Sequence, residues 1–292
     1  MMRVSALLAV CLSAFLGFSG ICVAEATGSS SAASISLCAL GSFRSPDARF
    51  NTSAAEIAAY DSKTKRLFVA NIGDKRMEIL DISNLPDLPA NPAECAPETA
   101  YKRQYTPKSV QNVDVAGEPR SVAVHNRILA VAVAKEPITD NGEVLLFDTA
   151  CSGETCQPTQ ITVGPAPDML TFTPNGRRLL VANTGELDES TLVDPDGSVS
   201  IIDVEHGAKQ ARLLATADFR TFNGDAQHLN ETGANICTAV TVAQDLEPEF
   251  ITVSKDSRRA WIGLEPNNTL GQDWSNQQTP APRLQRPQRE RE

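Results

Sequence analysis

Four charged residues hold equivalent places in a repeated pattern: Glu56, Arg120, Asp168 and Glu249. Each stands just ahead of a strand-like run, IAAYD, SVAVH, MLTFT and FITVS respectively. Three of the four are carboxylates, the hard oxygen ligands that calcium takes, so a ring of them is a candidate site for a cation or for a ligand that carries one. The segment DLEPE adds Asp245 and Glu247 at alternate positions ahead of Glu249. The competing reading is a ring of solvated charges at strand starts, with Arg120 bridging its neighbours.

A second acidic group crowds the connection NTGELDESTLVDPDGSVS, where Glu186, Asp188, Glu189, Asp194 and Asp196 fall close together. The spacing does not match an EF-hand loop, and Asp196-Gly197 by itself is explained as a turn. The loop is therefore read either as a weak calcium site through Glu186, Asp188, Asp194 and Asp196 or as a solvated acidic connection. His125, His206 and His228 have no zinc spacing. His125 fills a hairpin-turn slot, and no G-x-S-x-G or glycine-rich phosphate loop is present. Asn51, Asn230 and Asn267 each open an N-x-S/T sequon.

The elements that must position these residues are hairpins. AEIAAYDSKTKRLFVAN, PRSVAVHNRILAVAV, PDMLTFTPNGRRLLVAN and PEFITVSKDSRRAWIGL are four versions of one strand–turn–strand unit. Asn175-Gly176 supplies the turn chemistry such a hairpin prefers. Third strands are expected at Arg76–Ile82, Glu143–Thr149 and Ser198–Val204, and fourth strands at Val110–Val115, Gln160–Val163 and Ala211–Thr216. Four antiparallel strands recurring at intervals of tens of residues predict an all-β fold of β-propeller blades. About three blades are complete and a fourth is partial, so the propeller is incomplete. The first strand of each blade lines the central channel, which places the four charged residues at one mouth. A short helix ended by Gly233 is expected within GDAQHLNETG.

Arg3, an apolar run from Ala6 to Val23 and Ala24-Glu25-Ala26 together read as a secretory signal peptide over residues 1–26. Residues 27–270 then form the partial propeller, and the Gln-, Pro- and Arg-rich residues 271–292 a disordered polar tail. No later segment is apolar enough to span a bilayer, so no transmembrane anchor is expected after signal cleavage. The formal charge of −10 excludes nucleic acid as a natural partner. Of seven cysteines, Cys11 and Cys22 leave with the signal. Export permits disulfides, and Cys151 and Cys156 are the expected pair, with Cys38, Cys95 and Cys237 unassigned.

VGPAPDMLTFTPNGRRLLVANTGE resembles the hairpin of the YVTN and lactonase-like propellers. Three longer strings are more specific: AAEIAAYDSKTKRLFVANIGDKRMEILDIS, VAVAKEPITDNGEVLLFDT and AQDLEPEFITVSKDSRRAWIGLEPNN. Together they resemble the choice-of-anchor I family, the β-propeller domain of mesenchyme-specific cell-surface glycoproteins and their bacterial relatives. The resemblance covers about Ile35 to Asn268. It departs after LEPNN, where the family continues into a third strand and further blades. The chain therefore reads as the N-terminal part of a longer propeller. The acid balance, the absence of a nucleophile motif and the resemblance together lead to the expectation of a non-enzymatic protein that binds a protein, glycan or mineral partner; the signal segment places it outside the cytoplasm, secreted, periplasmic or at the cell surface, and the carboxylate ring makes calcium the expected ion. The alternative that the resemblance carries is a calcium-dependent phosphatase-like or other hydrolase propeller, on which fold alone does not decide.

Overall fold

The computed structural model describes residues 38, 40–45, 55–87, 105–267, 269–273 and 283–285. The expected signal segment, Cys95, the Asn51 sequon and most of the expected polar tail lie outside the described residues. Four antiparallel sheets of four strands follow one another, each ordered as in the chain. The first contains β1 (Ala58–Asp61), β2 (Arg66–Asn71), β3 (Arg76–Asp81) and β4 (Lys108–Asp114). The second contains β5 (Glu118–His125), β6 (Ile128–Ala134), β7 (Asn141–Asp148) and β8 (Thr159–Pro165). The third contains β9 (Pro167–Phe172), β10 (Arg178–Asn183), β11 (Ser198–Asp203) and β12 (Arg212–Asp218). The fourth contains β13 (Pro248–Val253), β14 (Ala260–Leu264), β15 (Thr269–Asp273) and β16 (Arg283–Gln285). These are propeller blades, and none closes into a barrel. Helix α1 (Ala226–Thr232) ends at Gly233, whose φ of 98° provides the left-handed cap, and α2 (Val242–Asp245) precedes the fourth blade.

The blades pack face to face, and the alternation of each strand divides its residues between two seams. In β6, Leu129, Val131 and Val133 face the first blade's Phe68, Met77 and Ile79. Ile128, Ala130 and Ala132 of the same strand face Leu170, Leu179 and Val181 of the third blade. All seven β6 residues are buried, which is why its sequence is unbroken apolar rather than alternating. The third blade repeats the division, turning Leu180, Ala182, Val199 and Ile201 toward Ile251, Ala260 and Ile262 of the fourth. Ile202→Val, a single methylene lost from a fully buried position in the seam between the second and third blades, should cost about 1 kcal/mol in urea unfolding. Leu192→Ala, at a position 78% exposed, should stay within about 0.5 kcal/mol.

The turns interlock across the seams as well. His125 stacks on Phe172 at 5.6 Å and lies directly against Gly176, whose φ is 70°. The Asn175 N–H donates to Ser257 Oγ of the next blade at 3.0 Å. The turn slot expected for His125 is thus structural.

One difference from the sequence reading concerns the fourth blade. Its hairpin is continued by β15, which pairs with β14 from Thr269 to Asp273, and β16 pairs with β15. Residues 271–273 and 283–285 were expected to belong to a strandless tail. Thr269–Asp273 and Arg283–Gln285 carry few apolar residues, so the period-2 signal of a strand is absent although β15 is paired on both edges and β16 on one.

Candidate functional site

A β-bulge sets each of the four equivalent charged residues. In the second blade Pro119 pairs with Val133 and Ser121 with Ala132, leaving Arg120 as the extra residue. In the third, Pro167 pairs with Asn183 and Met169 with Ala182, leaving Asp168. In the fourth, Pro248 pairs with Leu264 and Phe250 with Gly263, leaving Glu249. In the first, the Ala70 carbonyl accepts from the Glu56 N–H while the Ala70 N–H donates to the Ile57 carbonyl, so two residues again oppose one. A bulge re-aims a side chain out of the pleat. The proline ahead of three of the bulges lies on an edge strand, where its missing N–H costs no ladder bond.

The outcome is one pocket of 480 Å³ lined by Glu56, Arg120, Asp168 and Glu249 together with Glu118, Ser121, Ile57, Ile72, Met169 and Phe250. The ring expected from sequence is brought together. Arg120 is its electrostatic centre. Its Nη1 is 3.2 Å from Glu186 Oε2 and 3.7 Å from Asp168 Oδ1, and its Nη2 is 3.4 Å from Glu118 Oε2. Arg120 therefore reaches one ring member, Asp168, and otherwise Glu118 and Glu186 from outside the ring.

Acidic charge still exceeds what one guanidinium neutralises. Burial pushes the Asp168 carboxyl above the usual range; Arg120 pulls it back, while Glu186 and Glu56 push it further up. Burial also raises Glu249, helped by its hydrogen bond to the Glu265 carboxyl and by the charges of Asp168 and Glu247, to about 7. Glu247 is raised by burial and by Glu186, Asp194 and Asp245. Crowded carboxylates that resist ionisation favour an incoming positive charge over an anion.

Other expected site residues are placed elsewhere. Asp245 closes α2 and accepts from the Cys237 N–H at 3.0 Å and from Asn267 Nδ2 at 2.7 Å, a structural role outside the pocket lining. Glu247 lies beside the pocket without lining it. The loop carboxylates disperse. Glu186 turns to Arg120, while Asp188 accepts from the Ser190 and Thr191 hydroxyls within its own turn. Asp194 and Asp196 border a separate 730 Å³ cavity between β8 and β12, where Asp196 pairs with Arg220 at 2.6 Å. Among the described residues, no three His, Cys, Asp or Glu side chains converge as a metal ligand set. The calcium expected for the ring and the loop thus finds no ready-made set of three side-chain ligands among the described residues.

Cys151 and Cys156 form the expected disulfide, and Cys38 is also disulfide-bonded, whereas Cys237 is free and exposed. The Asn230 amide is held by both backbone groups of Ile236, and Asn267 is buried with its amide bonded to Asn235 and Asp245. Both sequons are therefore occupied by local structure. Glu118 and Glu265 were not foreseen as site residues. A sequence signal for Glu118 exists, since it immediately precedes the proline of its bulge.

No helix among the described residues is long and apolar enough to cross a membrane. No curated protein matches the sequence. Solved structures similar to the chain include hydrazine synthase of Kuenenia stuttgartiensis, at 15% identity and a TM-score of 0.45, covering 80% of this chain and 49% of that one. Two putative 6-phosphogluconolactonases are also similar. That of Bacteroides uniformis has 14% identity, a TM-score of 0.47 and coverage of 81% and 55%, and that of Bacteroides fragilis 12%, 0.48, and 79% and 57%. The chain thus spans about half the length of these structures. The choice-of-anchor I domain matches residues 56–273, from the first ring carboxylate to the end of β15, and the chain belongs to the choice-of-anchor I domain family.

Proposed function

We propose that this chain is an exported, non-enzymatic binding propeller, acting outside the cytoplasm in the periplasm or at the cell surface, whose inner-strand pocket takes a positively charged group of its partner. The observation that carries this reading is the convergence of four equivalent bulge residues on one pocket in which carboxylates outnumber the single guanidinium. The apolar wall of Ile57, Ile72, Met169 and Phe250 suits a ligand with a carbon stem and gives a bare ion nothing to contact. Calorimetric titration with a short lysine-containing peptide should give saturable heat, weakened about tenfold by Asp168→Ala. Calcium chloride in a parallel titration should give none. Saturable calcium binding lost in Asp168→Ala would replace the organic cation by the metal, and no heat from either ligand would end the binding reading.

A second reading has one specific observation behind it. Glu249, titrating near 7 beside Glu265, has the ionisation a general acid–base needs at neutral pH. A hydrolase would turn over an aryl phosphate or a lactone and lose that turnover in Glu249→Gln.

A further inference from the structure

The ring already contains a cation of its own, and that cation is part of the chain. Arg120 is gripped by carboxylates arriving from three directions: Glu118 from its own strand, Asp168 from the bulge of the next blade and Glu186 from the connection after β10. Only 19% of its side chain is exposed. The blades are repeats, yet the other three equivalent positions are Glu56, Asp168 and Glu249, so the second blade alone inserts a base among acids. The carboxylate oxygens stand 3.2–3.7 Å from two different guanidinium nitrogens. That is the layout of a planar cation with several forked donors.

We infer that Arg120 is a tethered occupant of the pocket, an internal stand-in for the ligand. The ligand class follows from what the pocket already accepts: a guanidinium or alkylammonium on a carbon stem, such as an arginine or lysine side chain of a partner protein. The partner's cation competes with Arg120 for Asp168 and Glu186, and Arg120 swings aside as it enters. This rests on the reading of the pocket as the binding seat. It adds that the seat is self-occluded, so free cations do not fill it and only a partner whose further contacts offset the exchange does so.

Removing the tether should open the seat. In thermal melts of the full chain, Arg120→Gln should melt lower than wild type and regain stability when millimolar methylguanidinium is added, while wild type stays unmoved. Sodium chloride at matched ionic strength separates occupancy from screening. The same variant should bind an arginine-containing peptide about tenfold more tightly than wild type. Arg120→Lys keeps a tethered cation and should behave as wild type in both measurements, which also controls for misfolding. Equal responses of wild type and Arg120→Gln to methylguanidinium, or rescue by sodium chloride alone, would overturn the inference. Peptide binding by wild type with no gain in Arg120→Gln would overturn it while leaving the binding reading intact. Methylguanidinium rescue with no peptide binding by either protein would keep the tethered occupant and remove the partner.

Discussion

Replacing Gly197 by alanine should destabilise the protein by about 3 kcal/mol, at the upper end of what overpacking costs, and lower its melting temperature by roughly 10 °C. A Cβ at this position would lie 2.0 Å from the Leu246 carbonyl oxygen and 2.7 Å from the Pro248 ring. Both obstacles belong to the entry of the fourth blade, and one is backbone, so no rotamer change relieves the clash. The Gly197 N–H also donates to the Ala243 carbonyl at 2.8 Å, which fixes the third blade against α2. Gly142 has the same role one blade earlier. Its Cβ would meet the Pro167 ring at 2.4 Å and the Val133 carbonyl at 2.8 Å. At each of these two seams, the glycine that opens the third strand of a blade admits the proline that opens the first strand of the next. That proline precedes the bulge residue of the pocket, so the same contact that closes the seam positions Asp168 or Glu249. Gly224→Ala, where nothing lies within 4 Å of the added Cβ, is the matched control and should stay within about 0.5 kcal/mol. Equal melting temperatures for the two variants would show that the seam yields more easily than its geometry implies.

The blades were legible in the sequence because both faces of their inner strands are buried. ILAVAV is apolar throughout, and RLFVAN and RLLVAN carry an unbroken apolar run between their terminal Arg and Asn, a signal that survives without any neighbour in view. The ring was legible for a related reason. A charged residue that follows proline or alanine and precedes an apolar strand recurs at four comparable places, and repetition marks equivalence that no single copy shows. That each of these residues is bulged was not legible, since a bulge is a property of pairing and the partner strand comes later in the chain. Glu186 shows the limit most clearly. In sequence it belongs with Asp188, Asp194 and Asp196 in one acidic loop, whereas in the fold it pairs with Arg120, 66 residues away. Proximity along the chain grouped four carboxylates that the fold assigns to different tasks. Arg66 is a similar case. It donates to the Thr149 and Cys151 carbonyls at 2.9 and 2.7 Å, tying the first blade to the disulfide loop of the second, and nothing in RLFVAN announces that partner. The outer strands of the fourth blade were missed because TLGQD carries few apolar residues to alternate.

Affinity for a cationic ligand should rise steeply with pH and level off above 7, the level to which Glu249 is pushed. Binding a cation there requires Glu249 to give up its proton, so affinity should fall by about tenfold per pH unit below 7, about a hundredfold at pH 5. The groups facing Glu249 act in one direction: Glu265 through a hydrogen bond and charge, Asp168 and Glu247 through charge, all raising it. Glu249→Gln should bind weakly at every pH and show no step near 7. The same proton acts on stability with a definite sign. A carboxyl raised in the folded protein above its ordinary value of 4.5 contributes most below that value, and the contribution fades as pH rises through 7. Asp81, Asp188 and Asp256 are lowered from 3.8 by hydrogen bonds from neighbouring backbone and hydroxyl groups, and Asp61 is lowered likewise, against the upward push of its burial. Their contribution is present above 3.8 and lost as pH falls below it, so the two effects occupy separate windows. Melting temperature should therefore decline between pH 5 and pH 8 in wild type and decline less in Glu249→Gln, where Asp168 and Glu247 remain raised. Added peptide should raise it most at pH 8, where the carboxylates are ionised and repel one another. A ligand affinity that is flat from pH 5 to pH 8 would show that Glu249 is a bystander and leave Asp168 as the carboxylate that receives the cation.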